Sequence, residues 1–179
     1  MYYGALKNCD IANGIGVRVT LFVSGCTNCC EGCFNPDTWD FKYGDPFTEE
    51  TEEEILKMLE PDYIRGFTVL GGEPFEPENQ RVIVPLLEKI RARFPNKDIW
   101  AFTGFRYHDE ITVPGAHPNC EVTDRFLDLI DVLVDGRFIL CKKDLRLRYR
   151  GSSNQRIIDM RETRRTGEIV LWDETPAYS

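Results

Sequence analysis

The sequence predicts an α/β fold built on a mainly parallel sheet. Three observations carry that expectation. Short apolar runs recur along the chain, each runs into glycine, and segments with a helical repeat of apolar residues separate them. Strands alternating with helices pair in parallel through right-handed crossovers, so their C-terminal ends collect on one edge, where α/β proteins bind ligands. At 179 residues the chain is long enough for one substantial core and short for two, so it reads as a single domain over 1–179.

The first run, "VRVTLFVS" (17–24), is a strand that leads directly into a cysteine-rich loop. "TEETEEEILKMLE" (48–60) follows as a helix: Thr48 is the N-cap, acids fill the first turns where the helix dipole favours them, and Ile55, Leu56 and Leu59 face inward. Its acidic outer face reads as solvated surface. "GFTVLGG" (66–72) is a buried strand. "ENQRVIVPLLEKIRARF" (78–94) has helical periodicity with a bend at Pro85, and "DIWAFTG" (98–104) is strand again. The turn signals of "TVPGAHPN" precede helical "TDRFLDLI" (123–130) and the strand "DVLVDG" (131–136). Beyond it come basic "CKKDLRLRYRGSSNQR" (141–156), a strand at "RIIDM", a polar turn at "RETRRTGE" and a final strand "IVLWD" (169–173).

A formal net charge of −8 argues against direct nucleic-acid binding, which needs clustered Lys and Arg. No basic patch with an apolar run and cleavage site opens the sequence, and no stretch approaches the length of a membrane span. The expected location is the cytoplasm. In that reducing compartment seven cysteines, an odd number, argue for metal or redox chemistry over a disulfide framework.

Four of those cysteines fall within "CTNCCEGC" (26–33). Three readings compete for them. Structural zinc usually takes two C-x2-C pairs from separate hairpins; here the pairs abut, and adjacent Cys29 and Cys30 project differently, which strains a closed tetrahedron. A thioredoxin-like dithiol needs only one C-x2-C, and the loop holds two. The third subset, Cys26, Cys30 and Cys33, is a C-x3-C-x2-C set whose three thiolates would hold three irons of a [4Fe-4S] cube and leave one iron open. Cys29 is then a bystander. Cys9, Cys120 and Cys141 are too irregularly spaced for a second cluster.

That cysteine motif after one strand, with "GGE" (71–73) ending the next, resembles the signature pair of radical S-adenosylmethionine (SAM) enzymes. Taken with "GVRVTLFVSGC", "CEGCFN", "LGGEPF", "FTG", "DVLVDGRF" and "RGSSNQRIID", the chain is similar over residues 9 to 160 to the activases of anaerobic (class III) ribonucleotide reductases. Many radical SAM enzymes carry an aromatic just before the third cysteine. Here Gly32 holds that position and Phe34 follows, a variation the activases share.

The resemblance implies an incomplete (β/α) barrel, a [4Fe-4S] cluster on Cys26, Cys30 and Cys33, and SAM as cosubstrate. Gly32, Cys33 and Phe34 would lie beside SAM, Gly71 and Gly72 would let backbone approach its methionine part, and the Glu73 carboxylate would balance its positive charge. Thr103 and Asp135 would complete the site. The implied reaction is reductive cleavage of SAM and generation of a glycyl radical on the large subunit of the anaerobic ribonucleotide reductase, with a low-potential electron donor such as flavodoxin. No general acid or base is required, which suits a chain whose two histidines, His108 and His117, read as solvated. The 141–156 segment, with Arg150 and Arg156, offers a docking surface for an acidic partner. The competing assignments are the activase of a different glycyl-radical enzyme, an enzyme like 7-carboxy-7-deazaguanine synthase, and a zinc-stabilised binding module.

Overall fold

A computed structural model describes residues 1–173; the last six positions of the single-domain expectation, and of the chain, lie outside them. Strand β1 (Tyr2–Asp10) pairs antiparallel with β2 (Val17–Val23), and a two-residue strand β3 (Asp45–Pro46) borders β1. Helix α1 (Glu49–Met58) starts at Thr48 as expected. The Thr48 hydroxyl accepts from the Thr51 backbone N–H while the Thr51 hydroxyl accepts from that of Thr48, which satisfies two amides the helix leaves unpaired. Strand β4 (Ile64–Gly71) then pairs parallel with β2. Helix α2 (Pro77–Arg93), continuous through Pro85, leads to β5 (Asp98–Phe102); α3 (Thr123–Leu129) leads to β6 (Val132–Asp135). Strand β7 (Arg156–Asp159) closes the sheet antiparallel to β6.

The sheet is open, with seven strands in the order β3-β1-β2-β4-β5-β6-β7. Its middle, β2-β4-β5-β6, is parallel and its margins are antiparallel, so the sheet is mixed where the sequence predicts a mainly parallel one. Because the parallel strands follow one another in spatial order, right-handed crossovers put the helices on one face. Burial agrees. Val19, Leu21, Phe67, Val69, Ile99 and Leu133 share one core with Ile55 of α1, Leu87 of α2 and Phe126 of α3. Alternate residues Trp100, Val132, Val134 and Ile157 form a smaller cluster with Tyr149 and Trp172.

Two expectations fail in detail and one strand was not expected. "RETRRTGE" is largely helical: α4 (Met160–Thr166) begins where the Asp159 carboxylate accepts the Glu162 N–H and ends at Gly167 in the left-handed conformation. Its charges disguise a short amphipathic turn. The run 169–173 contributes one bridge, Leu171 to Ile158, instead of a strand. β1 also went unread, because "YYGALKNCD" lies half-buried and its polar residues mask the alternation.

Candidate functional site

The ends of the parallel strands enclose a cavity of about 530 Å³, within the range of small-molecule sites. The loop after β2 supplies Cys26, Asn28, Cys30, Gly32, Cys33 and Phe34; the end of β4 supplies Gly71, Gly72 and Glu73; β5 is followed by Thr103 and Gly104. Gly136 and Phe138, after β6, and Leu145, Leu147 and Tyr149 of the following loop complete the lining. Asp135 alone among the residues expected at the site is not on the wall.

Asp135 is buried and committed elsewhere. It accepts from the Tyr107 backbone N–H at 2.8 Å and from two guanidinium nitrogens of Arg156, one at 2.9 Å. The pair spans the β6–β7 ladder, in which Asp135 and Arg156 are direct partners. Arg156, expected to face a partner protein, therefore locks the sheet margin.

The cysteine loop is shaped by a residue in an uncommon conformation. Cys29 has φ 44°, in the left-handed region that non-glycine residues rarely adopt. That twist separates two adjacent thiols: Cys29 is exposed, with its sulfur 3.7 Å from the Cys26 carbonyl oxygen, whereas Cys30 lines the cavity. Each of the other three sulfurs meets backbone N–H donors. Cys26 receives those of Asn28 and Cys29, Cys30 that of Phe138, and Cys33 that of Asn35 at 3.4 Å. Burial nevertheless pushes the Cys26 thiol up to about 12, helped by the charge of Glu73 and opposed by those N–H groups; burial also raises Cys30.

This donor set fits an iron–sulfur cluster. Thiolates are its ligands, and N–H donors aimed at sulfur favour the thiolate. Among the described residues no three His, Cys, Asp or Glu side chains converge on a single ion. A cube makes no such demand, because each of its thiolates binds a separate iron.

The "GGE" segment is built against the protein's own backbone. Gly71 has φ 112°, and a Cβ there would lie 2.7 Å from Val23 N; a Cβ at Gly72 would lie 2.6 Å from the Gly25 carbonyl oxygen. The segment docks through Gly72 N–H to Val23 O at 2.7 Å and Glu73 N–H to Gly25 O at 2.8 Å. Glu73 itself is fully buried. Its Oε1 accepts from Phe75 N–H (2.9 Å) and the Thr103 hydroxyl (2.8 Å), and its Oε2 from the Asn28 side-chain amide (2.9 Å) and Gly104 N–H (2.7 Å). Burial pushes Glu73 up to about 7, against these donors, which favour the ionised form.

Sequence reasoning missed Asn28, Glu76 and His117. Glu76, three residues after Glu73, is also buried and holds Thr27, while His117 is not merely solvated: its Nε2 lies 2.6 Å from Glu76 Oε2. The visible signal was a second acid in "GGEPFE"; nothing local linked His117 to it. His108 is exposed, as expected.

Comparison with known proteins bears on what this site serves. Residues 12–158 match the family model described as a 4Fe-4S single cluster domain. The anaerobic ribonucleoside-triphosphate reductase-activating protein of Escherichia coli (strain K12) is 42% identical over 163 residues, 90% of this chain and 100% of that protein. The chain belongs to the anaerobic ribonucleoside-triphosphate reductase-activating protein family. Family members from Enterobacteria phage T4 (39% identical, covering 88% of this chain and 93% of that protein) and Vibrio cholerae (38%, 87% and 96%) match it comparably. As in the sequence, no helix of the described residues is long and apolar enough to cross a membrane.

Proposed function

We propose that the chain is a radical SAM activase that holds a [4Fe-4S] cluster on Cys26, Cys30 and Cys33 and generates a glycyl radical on the large subunit of an anaerobic ribonucleotide reductase. The observation that carries this reading is the convergence of all three cysteines and the Gly71–Glu73 segment on one cavity in a chain of this family. A [4Fe-4S] cluster held by Cys26, Cys30 and Cys33 would supply the electron for reductive cleavage of SAM, the chemistry by which a Cα hydrogen would be removed from the target glycine.

The protein's own groups bind, orient and shield. Backbone at Gly71 and Gly72 presents an edge without side chains to the methionine part of SAM. Glu73, held by four donors, offers a fixed carboxyl group whose ionised form a sulfonium and an ammonium group would favour. Gly32, Cys33 and Phe34 lie on the wall for the adenosine part, and Thr103 serves by holding Glu73. The half-buried Leu147 and Tyr149 add apolar wall that limits water. In this reading the open sheet is an incomplete (β/α) barrel forming a single radical SAM domain, and a low-potential donor such as flavodoxin reduces it in the cytoplasm.

The test is anaerobic reconstitution with iron and sulfide, followed by reduction in the presence of SAM. The reading expects sulfide-to-iron absorption and formation of 5′-deoxyadenosine and methionine. Stoichiometric zinc without visible absorption contradicts it.

A further inference from the structure

We propose that Glu76 and His117 form a positioning pair for Cys26, acting through Thr27. The inference rests on the reading of Cys26 as a cluster ligand and adds residues outside both sequence motifs.

Glu76 occupies the N-cap of α2, yet its carboxylate makes no bond to the amides of its own helix. It turns instead to the cysteine loop. Oε1 accepts both the backbone N–H of Thr27 at 2.8 Å and the Thr27 hydroxyl at 2.6 Å, so a single oxygen grips one residue at two points. Oε2 faces His117 Nε2 at 2.6 Å, and the same ring nitrogen lies 3.4 Å from the Thr27 hydroxyl. Glu76 is 2% exposed and His117 54% exposed, so the histidine caps the buried acid from the solvent side. The helix N-terminus favours the negative charge there.

This grip falls where the loop needs it. Immediately before it, Gly25 N–H donates to Thr38 O at 2.8 Å and Cys26 N–H to Trp39 O at 3.3 Å. Immediately after it, Asn28 is held by Glu73. Cys26 is thus fixed on both sides, and the tether through Thr27 is next to it in the chain. Two residues later Cys29 sits in a left-handed conformation that persists only when its surroundings hold it. Fixing one thiolate before iron arrives lowers the ordering cost of assembling the site, as groups that orient metal ligands do elsewhere.

The test uses the full chain reconstituted anaerobically, with two readouts: iron retained against a chelator, and the electron paramagnetic resonance (EPR) spectrum of the reduced cluster without SAM. Glu76→Ala should lose iron about tenfold more readily and shift the spectrum, a size typical of residues that orient metal ligands. Glu76→Gln keeps an acceptor for Thr27 and should recover most of the loss. His117→Ala and Thr27→Val should move both readouts in the same direction by less; they decide the matter if Glu76→Ala does not fold. Unchanged iron retention and spectrum in these variants, even with a lowered melting temperature, would overturn the positioning role. Cys26→Ala made alongside separates the premises: a wild-type cluster in it sinks the ligand assignment and the inference with it, whereas cluster loss there with unaffected Glu76 and His117 variants sinks the positioning role alone.

Discussion

Asn28 donates its side-chain amide to Glu73 Oε2 at 2.9 Å, and this bond ties a side chain of the loop that carries the cysteines to the acid at the end of β4. The acid of the "GGE" motif is therefore both a charge on the cavity wall and a strut between the two motifs.

Substitution at Glu73 separates these roles. Glu73→Gln keeps the shape and one acceptor, so it should retain the cluster while weakening SAM binding about tenfold, the scale of one charge-assisted bond. Glu73→Ala leaves four donors facing a void and should lower stability by about 3 kcal/mol. SAM titration and denaturant unfolding of the two variants check this; equal SAM affinity in wild type and Glu73→Gln would reduce the residue to its structural part.

The protonation of Glu73 gives a pH dependence with a definite sign. Its carboxyl is raised by burial from the ordinary value of 4.5 to about 7, so the folded state holds the proton more tightly than the unfolded chain. That stabilisation is fully present below about pH 4.5 and is lost as pH rises towards 7. Unfolding of the cluster-free protein at pH 5 and pH 8 should show a loss on the order of 2 kcal/mol in the wild type that is absent from Glu73→Gln. Equal slopes in both proteins would contradict the assignment.

Arg156 stabilises the fold first, whatever it contributes to docking. Arg156→Glu places two carboxylates across one β6–β7 pair, and the buried Asp135 loses its partner. The expected cost is about 2–3 kcal/mol, less than for a fully buried pair because the Arg156 side chain keeps 30% exposure. Thermal unfolding measures it; an unchanged melting temperature with impaired radical transfer would restore Arg156 to the docking surface.

Much of this architecture was legible in the sequence, for identifiable reasons. Val19, Leu21, Phe67, Val69 and Ile99 lie in mainly apolar runs, in which Thr20 and Thr68 are the buried polar exceptions, because parallel strands are buried on both faces, and each run stops at a residue that shapes a loop. The cysteine spacing and the two glycines survive as local patterns, so nine of the ten expected site residues reach the cavity. What escaped depends on distant partners. Asp135 looked like a site residue at a strand end until Arg156, 21 positions on, claimed it. His117 looked solvated because Glu76, 41 positions away, is invisible locally. The α4 turn was hidden by arginines whose acids, Asp131 and Asp128, come from the preceding helix–strand unit.

The cysteines divide by exposure and by the donors they meet. Cys26→Ala, Cys30→Ala and Cys33→Ala should each abolish cluster-dependent SAM cleavage, since each removes the thiolate of one iron. Cys29→Ala should leave it nearly intact, because that sulfur is exposed and off the cavity wall. Iron and sulfide counts after reconstitution decide it, and equal loss in Cys29→Ala would return the loop to a zinc or dithiol centre.

The measurement that bears most directly on the central claim is EPR of the reconstituted chain mixed anaerobically with reductant, SAM and the large subunit of a matched anaerobic ribonucleotide reductase. The account predicts a glycyl radical signal on the large subunit, absent when SAM is withheld or when Cys26, Cys30 or Cys33 is replaced. A cluster-loaded chain that cleaves SAM yet leaves no radical on that subunit would contradict it and move the protein to another radical SAM reaction.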